Sequence, residues 1–347
     1  MSYQREYYYD GTAREGRYPL DEQLGIAGNV SNGVKRELVE LTARMPYAES
    51  VQVYERLARV CVSCTGAWEI TQAVGEVIRA MEARVRVAAR KGQADAESMA
   101  VTMDGCMAHV REEGWKEVKV GSVFELENRR KHRQNKQGET IPVVRAKDQT
   151  YVLHLGGPEE FGDQLVAETE TRGWSAVAQS AVIGDGAAWI WNLANRDYAT
   201  SAHIVDWYHA KQHLFSAAQV IWRDTPDAIP GWVEQQADLL YNGHADHIAE
   251  RLLILASLSN NQEDTAGLES EAGYFITHHE RMQYRDFQYA GLPIGSGTVE
   301  SGAKQAKHRF SAAGMRWSRN GLQNMLPLRA AVMSNTFDHL WSKLCPY

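Results

Sequence analysis

Two short stretches of this sequence run an apolar, strand-prone segment into one carboxylate followed by glycine. They are "VTMDG", which delivers Asp104, and "AVIGDGAAWIWNL", in which Asp185 stands between two glycines. Glycine after the acid lets the backbone turn and leaves room for a ligand to approach the side chain. A single aspartate of this kind is commonly a turn former. Two of them, on strands that should be neighbours, repel unless cations are shared between them, so a hard cation held by oxygen is the economical reading. A third carboxylate lies in "IGSGTVESGAKQAK", where Glu300 falls in the first turn of an expected helix and is tolerated by the positive end of the dipole. At about 100° per residue, Lys304 and Lys307 share its face and Arg309 points away. Glu300 would then face the cations with two lysines beside it for phosphates.

Other clusters are weaker. His209 and His213 stand four apart and could ligate zinc, but no nearby glutamate supplies a metalloprotease-type sequence. "CVSC" and "CMAH" suggest a split zinc site of Cys61, Cys64, Cys106 and His109, yet Cys106 and His109 differ by an odd number on a strand and face opposite sides. Trp189 and Trp191 read as core residues in preference to a stack on an unpaired base, and Trp317 as structural. In "GMRWSRNG", Arg316 and Arg319 are expected to meet phosphates.

The elements around these residues follow from periodicity. Residues 1–30 read as irregular, and helical spacing starts near Val34 with "VKRELVELTARM", "YAESVQVYERLARV" and a long third helix from Cys64. The corner between the second and third, with Ser63 as a cap, has a helix-turn-helix shape. After "GQADAESM" the period changes to two, giving three strands of a meander, then helix, strand, short helix and strand, the order of a ribonuclease H-like αβ core. Amphipathic helices follow to about Tyr289. The expected organisation is a helical DNA-binding region at 1–97, a first part of the catalytic core at 98–210, an all-helical insertion at 211–290, and a last part of the core with basic helices at 291–347.

With 347 residues, 44% hydrophobic and 23% charged, the chain is an ordinary globular protein. No run reaches a membrane span, and four cysteines make no disulfide framework, so a cytoplasmic, nucleoid-associated location is expected. Net charge is -7, but from Arg281 onward nine Lys/Arg face three Asp/Glu, and "NRRKHRQNK" forms a basic knot at 128–136. Such segregation permits a local phosphate-binding surface on an acidic protein.

Taken together, "MDGCM...GWKEVKVGSVFE", "VIGDGAAWIWNLA", "IVDWYHAKQHL", "GLPIGSGTVESGAK" and "GMRWSRNGLQNMLPLRA" resemble the ISKra-type insertion-sequence transposases, relatives of the Mutator-like group. The resemblance covers most of the chain. It implies a ribonuclease H-like fold with a helical insertion before the final glutamate, an acid triad of Asp104, Asp185 and Glu300, and an Asp-x-x-His signature at Asp206 and His209. Members often carry a longer amino-terminal region, so part of the DNA-recognition apparatus is expected to be missing here. The activity implied is DNA cleavage and strand transfer with two Mg²⁺ ions, Mn²⁺ substituting. The expected partners are double-stranded DNA, as terminal inverted repeats and target, and a second copy of the chain. Lys304, Lys307, Arg309, Arg316 and Arg319 form the expected DNA-contacting set. A ribonuclease H-like nuclease without strand transfer and a non-catalytic DNA-binding protein are the alternatives.

Overall fold

The computed structural model describes residues 6–345 except 13, 24–25, 28–29, 88–95, 135–137 and 296; side chains at 15, 22–23, 27, 82–87, 128–133 and 298–300 are also outside the description. The chain divides into two compact units, one of residues 1–87, 108–116 and 308–347, the other of 88–107 and 117–307. The carboxyl-terminal residues from 308 onward thus fall in one unit with the amino-terminal helices.

The first unit opens with two small ribbons, β1 (Tyr8–Asp10) with β2 (Glu15–Arg17) and β3 (Ile26–Ala27) with β4 (Val30–Ser31), where the sequence reads as irregular. Between the ribbons lies α1 (Pro19–Gln23), followed after β4 by α2 (Asn32–Arg44), α3 (Tyr47–Ala58) and α4 (Cys64–Val87). Ser31 starts α2 by accepting from the Val34 N–H, and Leu38, Val39, Thr42 and Ala43 form its buried face. Ser63 accepts from the Gly66 N–H at 3.0 Å, as expected for the α3–α4 corner. At the end of the chain come α13 (Arg319–Met333) and α14 (Phe337–Leu344). Most of α13 is buried, and its packing on α4 depends on Gly75, where an added Cβ would lie 2.2 Å from the Asn324 carbonyl oxygen. Gly75→Ala is therefore expected to lower the unfolding free energy by about 1–3 kcal/mol, outweighing alanine's better helix propensity. A chemical denaturation midpoint at or above wild type would show that α4 and α13 separate without cost.

The second unit is built on a five-stranded mixed sheet of order β7-β6-β5-β8-β9, formed by β5 (Ser98–Val110), β6 (Gly114–Gln134), β7 (Thr140–His154), β8 (Gln179–Gly184) and β9 (Ala202–Val205). The β6–β7 pair is antiparallel and the β5–β8 and β8–β9 pairs are parallel. The basic knot at 128–136 is no loop up to Gln134: it continues β6, pairing Arg129 with Val143 and Gln134 with Thr140. Helices α5 (Pro158–Thr171) and α6 (Ala188–Asp197) make the crossovers, and Gly121 lets Phe161 and Leu165 of α5 press onto β6. The strand expected to run through "SAHIVDWYH" stops at Val205, because Asp206 caps the next helix. The helical stretch comprises α7 (Trp207–Ile221), α8 (Ile229–Tyr241), α9 (Ala245–Leu258), α10 (Gln262–His278) and α11 (Tyr284–Tyr289), and α12 (Gly297–Phe310) follows. Among the described residues no helix is long and apolar enough to cross a membrane.

Candidate active site

Strand register aligns the acids. In the parallel β5–β8 pair Ala100 faces Ala181 and Thr102 faces Ile183; two residues further along the same offset, Asp104 comes level with Asp185. In the β8–β9 pair Gly184 faces Val205, so Asp185 comes level with Asp206, and the Asp206 N–H still donates to the Gly184 carbonyl at 2.8 Å. Three aspartates therefore stand in one row across three adjacent strands spaced about 4.8 Å apart, Asp104 within β5 and Asp185 and Asp206 directly after the last residues of β8 and β9. Each carboxylate accepts a backbone N–H: Asp104 from Gly105 at 2.6 Å, Asp185 from Ala187 at 2.9 Å and Asp206 from His209 at 2.8 Å. These bonds fix side-chain direction; carboxylate oxygens are the donors that hard divalent cations such as Mg²⁺ or Mn²⁺ take, but the three do not close on one point, since among the described residues the trio with ligand atoms all within 4.8 Å of one another is His244, Asp246 and His247.

The Asp185 turn is clamped from the helical stretch. Gly186 sits at φ +109°, and a Cβ there would lie 2.6 Å from the Tyr274 ring. Tyr274 in turn donates its hydroxyl to the Asp185 carbonyl at 3.1 Å and stacks on His213, ring centroids 3.5 Å apart. His213 Nδ1 lies 2.7 Å from Glu271, which explains the His209–His213 spacing without zinc. His209 packs edge-on to His213, and burial lowers its pKa against the opposing pull of Asp185. Burial raises the Tyr274 hydroxyl, and Asp185, Asp206 and Glu271 push the same way, so it remains a donor at neutral pH.

Glu300 lies in the first turn of α12, and its side chain falls outside the described residues. Two contacts place its helix. The Trp207 N–H donates to the Ile294 carbonyl at 2.8 Å, and a Cβ on Gly295 would come within 3.8 Å of an Asp206 oxygen, so the loop before α12 runs beside the acid row. Further on, Gly302 lets α12 approach β7 so closely that a Cβ would meet the Tyr151 ring at 2.3 Å. Lys304 and Lys307 are exposed on α12. A cavity of about 560 Å³ opens beside Asp206, lined by Trp207, Tyr208 and Gly295 among others.

Arg309 is a correction to the expected DNA-contacting set. It is 1% exposed, donates from Nε to the Thr42 carbonyl at 2.7 Å, and lies over the Tyr47 and Trp317 rings, so no backbone phosphate at the surface reaches it. Arg316 is exposed, and Arg319 is exposed with both ends of its guanidinium on Glu113 at 2.8 and 2.6 Å. Trp191 and Trp317 are buried. Burial pushes the Cys106 thiol up to about 12, with Asp104 and Glu117 adding to it, which removes it as a ready thiolate.

Sequence reading missed Glu117 and Lys119. A Cβ on Gly105 would meet Glu117, which pairs at 2.6 Å with the buried Lys119, itself 4.5 Å over the Trp189 ring. It also missed His278. Burial pulls that imidazole down to about 4, and Arg281 and then His213 push in the same direction. The unfolded chain takes up a proton below about 6.5 that the folded chain refuses down to about 4, so stability is present above this window and lost as pH falls through it. We expect this residue to contribute up to about 3 kcal/mol of acid destabilisation. Denaturant titrations at pH 7, 5.5 and 4.5 should show a steeper loss in wild type than in His278→Asn; equal slopes would contradict it.

The class defined by this architecture is a two-unit α/β protein with an aspartate row across the parallel strands of a mixed sheet. Over residues 1–339 the chain matches the uncharacterised protein family UPF0236, and it belongs to that family. No curated protein matches it. Among solved structures it is similar to the Drosophila P element transposase strand transfer complex, at 11% identity and a TM-score of 0.30, over 94% of this chain and 83% of that one. A likeness of that size assigns neither fold nor activity.

Proposed function

We propose that this chain is the DNA transposase of an insertion sequence, built on a ribonuclease H-like sheet, that hydrolyses phosphodiesters at element ends and joins the freed 3′-hydroxyl to target DNA. The observation that carries the reading is the register bringing Asp104 level with Asp185, with the loop that leads into α12 running past Asp206. Strand order supports it: a three-strand meander extended on the side of its first strand by two parallel strands. Asp104, Asp185 and Glu300 would hold two divalent cations, which when bound supply an activated water and stabilise the leaving 3′ oxygen. Asp206 and His209 brace the start of α7, and Tyr274 fixes the Asp185 turn, so the donors are positioned before substrate arrives.

Lys304 and Lys307 lie exposed on α12 and would meet phosphates. Replacing both by alanine is expected to weaken end binding and to make the slope of log affinity against log salt shallower by about two. An unchanged slope assigns them to plain solvent-exposed surface. Pairing two ends needs two active sites, so a homodimer on DNA is part of the proposal, and light scattering on the end complex measures it. The activity is tested with labelled element ends and Mg²⁺. Nicking followed by joining supports the transposase; nicking alone replaces it by a nuclease, and binding alone by a non-catalytic DNA-binding protein.

A further inference from the structure

A second cavity, of about 270 Å³, lies wholly in the first unit. Its wall includes Tyr47, Trp68, Arg111, Arg309, Arg316 and Trp317, and none of its lining residues is acidic. Local structure explains the assembly. The Trp317 N–H donates to the His109 carbonyl and the Arg111 N–H to the Trp317 carbonyl, so the tip of the β5–β6 hairpin and the start of α13 are held together. Ser318 caps α13 by accepting the Gly321 N–H at 3.1 Å, and both residues line the cavity.

Arg309 sets the chemistry. Its guanidinium is buried between Tyr47 and Trp317, Nε is satisfied by Thr42 and Nη1 by the Met315 sulfur, while Nη2 has no hydrogen-bond partner. No carboxylate among the described residues pairs with it, and the buried Arg329 repels it. Buried in this state the guanidinium touches no ligand itself, but its uncompensated charge behind the cavity wall favours an anion in the cavity. Arg111 and Arg316 add two exposed guanidiniums, and Trp68, 46% exposed, gives an aromatic face beside them. Guanidiniums match phosphate oxygens, and an exposed indole stacks on a base.

We infer that this cavity binds one unpaired nucleotide of a DNA strand, its phosphate on Arg111 and Arg316 and its base against the Trp68 face. The source of the nucleotide rests on the proposed DNA function; the phosphate-and-base chemistry rests on the cavity alone. The test uses the full chain carrying Asp185→Asn, so that binding is read whether or not the protein cleaves DNA. A 5′-phosphorylated single-stranded octanucleotide, dAMP and inorganic phosphate are titrated calorimetrically. The octanucleotide should bind, and both Arg316→Ala and Trp68→Ala should weaken it about tenfold or more, with the exposed Arg316→Ala leaving the thermal midpoint unchanged and Trp68→Ala still folded by circular dichroism at the titration temperature. Affinity unchanged in both variants overturns the inference. Phosphate binding that ignores Trp68 reduces the cavity to a simple anion site, and dAMP binding as tightly as the oligonucleotide makes the ligand a free nucleotide; each overturns the DNA assignment.

Discussion

Asp185→Asn is expected to reduce Mg²⁺-dependent cleavage of element ends by about three orders of magnitude or more, with end binding within about twofold of wild type. The substitution keeps the volume and the acceptor for the Ala187 N–H, so the turn should survive. What it removes is one negative charge from a row in which Asp104 and Asp206 stand on either side. Phosphate contacts are assigned to cations elsewhere, which is why binding and cleavage should separate. Quantitative nicking of a labelled end beside a mobility-shift titration measures both, and a variant that cleaves at near wild-type rate removes Asp185 from the reaction.

Gly186→Ala should lower activity by about a hundredfold without touching a charge. The position has φ +109°, a conformation an L side chain rarely adopts, and the added methyl would press into the Tyr274 ring at 2.6 Å. Strain and overlap together should cost about 2–3 kcal/mol of stability. Relief by moving the turn would break the Tyr274 hydroxyl bond to the Asp185 carbonyl and displace the carboxylate, and a displacement near 1 Å lowers the rate by about a hundredfold. Denaturation and single-turnover nicking give the two numbers, and wild-type values in both would mean that the turn is not held as described.

Asp-Gly after an apolar run is a local signal that singles out Asp104 and Asp185; it locates a strand end at Asp185 but not at Asp104, where β5 continues to Val110 because pairing with neighbouring strands carries the chain through the glycine. Asp206 was read as part of a signature; its place in the same row depends on β8–β9 register, which no local pattern encodes. Tyr274 was invisible for a related reason. It reaches Asp185 across 89 residues of chain, and a tyrosine on an amphipathic helix reads as core. Arg309 was misread because a charged residue on a basic helix defaults to solvent, whereas here the Thr42 carbonyl and two aromatic rings take its guanidinium inside. The length of β6 was lost in the basic knot, since charged residues on a twisted hairpin arm lack the apolar alternation of a half-buried strand. Helices α2 and α3 lie within a few residues of their expected bounds and α4 starts at the expected Cys64, its expected end lying outside the described residues.

Anomalous scattering from crystals of the protein grown with Mn²⁺ tests the cation site most directly. The account predicts a peak within coordinating distance of the Asp104 and Asp185 carboxylates, about 2.0–2.4 Å from their oxygens, that disappears in Asp185→Asn. The His244, Asp246 and His247 side chains cluster on the surface in a way that could hold a metal ion, and so provide an internal comparison. Manganese at that cluster with none at the aspartate row, at a concentration that saturates ordinary Mn²⁺ sites, would contradict the central claim.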